Sequence, residues 1–184
     1  MKKLVIIAGI FLSFFLATRL VYGQEVAGHS ALLSYNADKI NTNKDFTIKK
    51  ITIQKVFERF NSPLFHSVDS FVKYCQRYNI DCYLLPSIAG LESSFARNIY
   101  PDSYNPFGWG GGYIFFDSWD ESINTVAKGI KENYIDQGAD TVDKIAPIYA
   151  ASSTWAVRVK YFQKMFTDEE EKVSLLLKEN SVKL

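Results

Sequence analysis

Glu92 stands near the end of an otherwise apolar helical pattern, and a dense patch of aromatic residues and glycines follows it: Tyr104, Asn105, Phe107, Gly108, Trp109 and Gly110. One carboxyl group beside aromatic rings suits chemistry on a sugar. The acid can protonate a glycosidic oxygen, and rings can lie against the apolar face of a pyranose. Leu84, Ile88, Leu91 and Phe95 recur at helical offsets, so Glu92, next to Leu91 and one turn after Ile88, falls on the border of a buried stripe. The pattern dissolves at Arg97 and Asn98, which puts Glu92 near the negative end of a helix dipole. Desolvation and the dipole both favour the protonated carboxyl that a general acid supplies. The alternative on position alone is a solvated glutamate on a helix edge.

Glu92-Ser93-Ser94-Phe95, followed by Ser103-Tyr104-Asn105-Pro106-Phe107-Gly108-Trp109-Gly110, resembles the glutamate-serine helix end and Asn-x-Phe/Trp-Gly loop of the bacterial peptidoglycan N-acetylglucosaminidases. Tyr149-Ala150-Ala151-Ser152-Ser153-Thr154-Trp155-Ala156 is similar to the Tyr-Ala segment and its continuation in that family, also labelled mannosyl-glycoprotein endo-β-N-acetylglucosaminidase-like. The resemblance runs from Asn61 to Phe166. It implies a lysozyme-like fold, related to the lytic transglycosylases, of class α+β and mostly α, with a small β-hairpin lobe beside the cleft. It also implies Glu92 as the catalytic acid and Ser93, Tyr104, Asn105, Phe107, Gly108, Trp109 and Tyr149 as substrate-binding residues, with Tyr149 facing the glutamate across the cleft. For Tyr149 the residues alone equally fit a packed tyrosine whose hydroxyl finds a backbone partner. The sequence departs from the family pattern at Pro106 and in offering no evident second acid.

Glycosidases commonly use two carboxyl groups. Asp102, Asp117, Asp120 and Glu121 are the candidates for the second; Glu121 is already occupied by a capping box with Ser118, and Asp117, at the foot of the expected hairpin, is preferred as the second catalytic residue. Three functions remain open: an endo-β-N-acetylglucosaminidase in which Asp117 or the substrate's own acetamido group assists Glu92, a lytic transglycosylase using Glu92 alone, and a glycan-binding protein without turnover.

These residues need elements to hold them. The chain has 184 residues, is 47% hydrophobic and carries a net charge of +1, which fits one globular domain without electrostatic bias toward nucleic acid. Aromatic residues make up 15%, enough both for an aromatic-rich core and for a carbohydrate groove. Residues 1–23 read as a signal peptide: Lys2 and Lys3, the apolar run Leu4 to Ala17, and a small residue at Gly23 before Gln24. The alternative is an uncleaved anchor, with a membrane tether through residues 4–22. Residues 24–44 read as a linker, 45–166 as the catalytic domain, and 167–184 as a terminal amphipathic helix or loose tail. Within the domain, alternating Phe46, Ile48, Ile51 and Ile53 suggest a short strand before a helix to Phe60. Ser67 to Tyr78 and the Glu92 helix make a helical hairpin, the second helix capped by Asp81. Gly110, Gly111 and Gly112 between Trp109 and Phe116 suggest a β-hairpin or a tight loop. Helices are expected over Ser118 to Tyr134, Thr141 to Tyr149 and Thr154 to Phe166.

Cys75 and Cys82, the only cysteines, flank the hairpin turn and in an exported chain make a disulfide; two buried thiols or half a metal site are the alternatives. With His29 and His66 at no ligand spacing to them, a metal is not expected, and neither is a cofactor. The expected partner is the glycan strand of peptidoglycan, with no nucleic acid, and the expected state is a secreted or envelope-associated monomer.

Overall fold

The computed structural model describes residues 43–182. The expected signal or anchor and the linker up to residue 42 lie outside the described residues. The chain divides into two units, residues 1–45 and 46–184, and apart from the first three residues of the first helix the second carries everything that follows. Among the described residues every regular element is helical, so the expected α+β class with a β-hairpin lobe is corrected to all-α. No helix among them is long and apolar enough to cross a membrane.

Helix α1 spans 43–59, where a strand was expected to begin. The alternation of Phe46, Ile48, Ile51 and Ile53 misled because β-branched residues favour strands only as a weak prior. Ile53, Val56 and Phe57 are fully buried, with Phe60 packed against the same core, and offsets of three, four and seven are a helical face. A 3₁₀ turn, Pro63–Ser67, leads into α2, Val68–Tyr78, which ends at Asn79 in the left-handed conformation. Ser67 makes no side-chain cap.

Helix α3, Leu84–Ser93, carries the candidate acid. Asp81 accepts a bond from the Tyr83 amide at 2.8 Å and its carbonyl takes the Leu84 amide at 3.0 Å, but the N-cap is Tyr83 and no side chain caps the helix, so the expected Asp81 cap is replaced by a turn that leads into it. Cys75 and Cys82 form a disulfide that ties α2 to the approach of α3. Such bonds are characteristic of oxidising compartments. The expected amphipathic stripe is overridden: every residue from Cys82 to Gly90 is buried. Helix α3 packs on α6 (Trp155–Val182) and, less extensively, on α4 (Trp119–Asn133), while α2 packs on α4 and α5 (Val142–Tyr149) on α6.

Helix α4, Trp119–Asn133, starts at the expected capping box, with the Ser118 hydroxyl accepting the Glu121 amide at 3.1 Å. Glu121 reaches back to the amide of Asp117 rather than that of Ser118, at 2.6 Å. A 3₁₀ turn closed by Gly138 leads to α5, Val142–Tyr149, capped by Thr141. Helix α6, Trp155–Val182, runs on past Phe166, where it was expected to end. Val173 is buried on the core side, and the buried Glu169 pairs with Arg59 of α1. Burial opposes its ionisation, but Arg59 and then Lys172 hold the Glu169 carboxyl below its usual range. The core between these helices is largely rings: Phe57, Phe71, Phe95, Phe107 and Phe166 are fully buried.

Replacing Cys75 and Cys82 together by Ser opens the loop between them, and loop entropy sets the expected loss at about 2.5 kcal/mol of unfolding free energy. Denaturant unfolding measures it. An unchanged midpoint would show that the cross-link constrains nothing.

Candidate active site

Glu92 is the penultimate residue of α3, and the chain leaves the helix through an unusual turn. Ser94, Phe95 and Ala96 all have positive φ, at 51°, 59° and 67°. Each such residue without the freedom of glycine costs about 1–2 kcal/mol, so the surroundings must compensate. The Phe95 amide bonds the Ala89 carbonyl at 2.9 Å, and the Ser93 hydroxyl accepts the Ala96 amide at 2.8 Å. Ser62 donates to the Phe95 carbonyl at 2.8 Å. The Phe95 ring is held by Phe60, Phe162, Phe57 and Phe166, with centroids 4.7, 5.4, 5.7 and 6.2 Å away. Gly90 makes room for it, because a Cβ there would stand 2.7 Å from the ring. The turn therefore stops α3 with Glu92 exposed, where the sequence placed it on the border of a buried face.

The second half of the site is the loop after Asn105. The Asn105 side-chain amide donates to the carbonyls of Trp109 and Ile114 at 2.9 and 3.0 Å, and its oxygen accepts the Trp109 amide at 3.0 Å. One buried side chain thus satisfies carbonyls that a β-ladder would otherwise take. Gly108, Gly110, Gly111 and Gly112 all have positive φ, and the backbone curls into a 3₁₀ turn, Trp109–Gly112. That is why the expected hairpin between Trp109 and Phe116 is absent. Ser93 ties this loop to α3, donating to the Pro106 carbonyl at 2.7 Å.

Two grooves meet at Gly108. The first, about 370 Å³, is lined by Glu92, Ser93, Asn98, Ile99, Tyr100, Asn105, Gly108 and Gly112. The second, about 400 Å³, is lined by Gly108 to Gly111 with Tyr134 and Tyr149. The Trp155 indole N–H donates to Glu92 Oε1 at 2.7 Å. Glu92 Oε2 lies over Gly108, where a Cβ would come within 3.3 Å. The two carboxyl oxygens are therefore unequal: one is fixed by a buried indole, and the other faces the glycine that both grooves share. An alanine at Gly108 would be strained by its φ of 63° and would crowd that oxygen as well.

The ring of Tyr149 stacks on Trp155 with centroids 4.8 Å apart, and its hydroxyl turns inward to donate to the Phe107 carbonyl at 2.7 Å. Burial, then the Glu92 charge and Tyr134, pushes the Tyr149 phenol well above its usual range, so it stays a neutral donor. Trp109 lies near Tyr149 and Tyr134 and packs closely enough on α4 to forbid a side chain at Gly129, where a Cβ would be 2.6 Å from the ring.

The residues singled out by sequence divide by position. Glu92, Asn105 and Gly108 line the first groove, and Gly108, Trp109 and Tyr149 the second. Ser93 also lines the first groove, but it is buried and its hydroxyl is committed to the backbone. Phe107 is a core ring that lends its carbonyl to Tyr149. Tyr104 packs edge-on against Trp119 at 4.9 Å and lines neither groove. Asp117 is exposed and lines neither groove, and the same holds for Asp102. The sequence placed Trp155 only in a motif and near the start of an expected helix. A buried indole must find an acceptor, and that requirement is the signal that could have pointed to its bond with Glu92. No protein-family model matches the chain, and no curated protein matches it.

The elevated Tyr149 phenol has a consequence at high pH. Above pH about 10 the unfolded chain releases this proton while the folded chain keeps it. Stability therefore falls as pH rises through that range. Tyr149→Phe should be less stable at neutral pH for want of the bond to Phe107, yet lose less on going from pH 9 to pH 11 (roughly the span of phenol titration). Denaturant midpoints at the two pH values decide it, and equal losses in both proteins would contradict the burial of the hydroxyl.

Proposed function

We propose that the chain is a peptidoglycan glycosidase of the N-acetylglucosaminidase type, with Glu92 as its general acid. The observation that carries the reading is the carboxyl group itself: it ends a buried helix, stands exposed where two grooves meet, and has one oxygen held by the Trp155 indole. Grooves walled by Tyr100 on one side and by Trp109, Tyr134 and Tyr149 on the other suit pyranose rings. Among the described residues no lysine or arginine lines either groove, which speaks for an uncharged glycan backbone over a nucleic acid. The disulfide supports an extracytoplasmic place of work, and export through residues 1–23 would bring the enzyme to wall glycan.

In this reading Glu92 gives its proton to the bridging oxygen as the C1–O bond breaks. Among the described residues Glu92 is the only carboxylate lining either groove, so the attack on C1 falls to the substrate. The carbonyl oxygen of the 2-acetamido group closes onto C1, and water then opens that ring while Glu92 takes up the water's proton. The same observation favours a second reading, a lytic transglycosylase. There the sugar's own 6-hydroxyl attacks C1, Glu92 receives its proton, and the product is a 1,6-anhydro end lighter by one water.

Purified peptidoglycan digested by the full chain, with Glu92→Gln beside it and the released ends identified by mass spectrometry, tests both. Removing the acid should lower turnover by about 10²-fold or more. N-acetylglucosamine reducing ends identify the hydrolase and anhydro-muramyl ends the transglycosylase. No release by either protein, from wall material that a muramidase does cut, would overturn the proposal.

A further inference from the structure

Among the described residues most Phe, Tyr and Trp rings are buried or half-buried; apart from Tyr161 on α6, the exposed ones are Tyr100, Tyr113 and Phe115, at 53%, 75% and 61%. All three belong to the segments that border the Glu92 groove. Tyr100 lines the groove, and the Tyr113 ring stacks on it with centroids 6.0 Å apart and planes 29° off parallel. Leaving two phenol rings in water forgoes the stabilisation that burying them elsewhere would give. Their backbone is nevertheless held from both sides. The Tyr100 carbonyl accepts the Ser103 amide at 3.1 Å, and the Phe116 amide donates to the Ser103 carbonyl at 2.9 Å. The Ile114 carbonyl is held by Asn105. The glycine run lies beneath the pair: a Cβ on Gly111 would be 3.5 Å from the Tyr113 ring, and one on Gly112 would be 4.0 Å from Tyr100.

Resting on the glycosidase reading above, we infer that the Tyr100–Tyr113 pair is a stacking ledge for a sugar unit beyond those in the Glu92 groove, so that the site takes an extended glycan rather than a disaccharide. The occupant follows from the chemistry of the place. A phenol ring offers an apolar face to the C–H side of a pyranose and a hydroxyl tip to its polar edge. The ledge is continuous with the groove through Tyr100 and Gly112, and among the described residues that groove is lined by one carboxylate and by no lysine or arginine, which matches a neutral saccharide backbone. Tyr113 makes no buried contact that its removal would disrupt.

Binding of chito-oligosaccharides to full-length Glu92→Gln, by calorimetry, separates the possibilities. A hexasaccharide should bind more tightly than a disaccharide. Adding Tyr113→Ala should weaken the hexasaccharide about five- to tenfold, as loss of one aromatic stack implies, and leave the disaccharide unchanged, whereas Tyr100→Ala, at the wall of the Glu92 groove, should weaken both. Phe at either position should retain most of the affinity. If the hexasaccharide binds equally with and without the rings, the ledge is refuted and the glycosidase reading stands. Should neither chito-oligosaccharides nor peptidoglycan bind at all, both are refuted. A concentration-dependent dimer, abolished by Tyr113→Ala, would overturn the ledge in favour of a contact between copies.

Discussion

A helix buried on every side can bring a carboxyl group to solvent only where it stops. Helix α3 is in that position: Cys82 to Gly90 are all buried, and the first strongly exposed side chain is Glu92, one residue before the end. The three residues that terminate it in the left-handed region are what the rest of the structure supports. Phe95 anchors the turn among four other phenylalanine rings, Ser62 and Ser93 satisfy its backbone, and Gly90 yields the space. Strain tolerated beside a solvent-exposed acid, and compensated by core packing behind it, is a pattern typical of functional sites.

The loop from Asn105 to Gly112 is the counterpart. One side chain, Asn105, does the work of a strand partner, and four left-handed glycines let the backbone pass close to Glu92 and beneath Tyr100 and Tyr113. Ser93 joins the halves by bonding both the helix end and the Pro106 carbonyl. A change at Gly108 would meet Glu92 directly, and a change at Asn105 or Ser93 reaches it through the loop they hold.

The long periodic elements could be read directly from the sequence, because a capping box, a helical stripe and a closely spaced cysteine pair are local signals. Helix α4, the Cys75–Cys82 bond and the presence of a helix bearing Glu92 follow from them. What could not be read depends on distant residues. The end of α3 is moved from Asn98 back to Ser93 by a core cluster drawn from α1 and α6. The hairpin expected over Trp109 to Phe116 gives way to an Asn105-centred turn, since glycines report that the backbone bends but not toward which partner. Isoleucines in α1 imitated a strand until the core selected their helical face. Trp155 and Glu92 are far apart in sequence, so nothing local could reveal their hydrogen bond. Asp117, chosen because it flanked the expected hairpin, lost its rationale with the hairpin.

The bond from Trp155 makes the two oxygens of Glu92 different, and on this account that difference is the centre of the site: Oε1 is held, and Oε2 faces Gly108 and the meeting of the grooves. The direct measurement is the indole ¹⁵N–¹H resonance of Trp155, compared by NMR in the native chain, in Glu92→Gln and in Glu92→Ala. The account predicts a hydrogen-bonded, downfield indole proton in the native chain, a smaller displacement in Glu92→Gln, which can still accept the bond, and an upfield shift in Glu92→Ala, which offers no acceptor. A resonance that is the same in all three proteins would contradict the pairing of Trp155 with Glu92 and the site built on it.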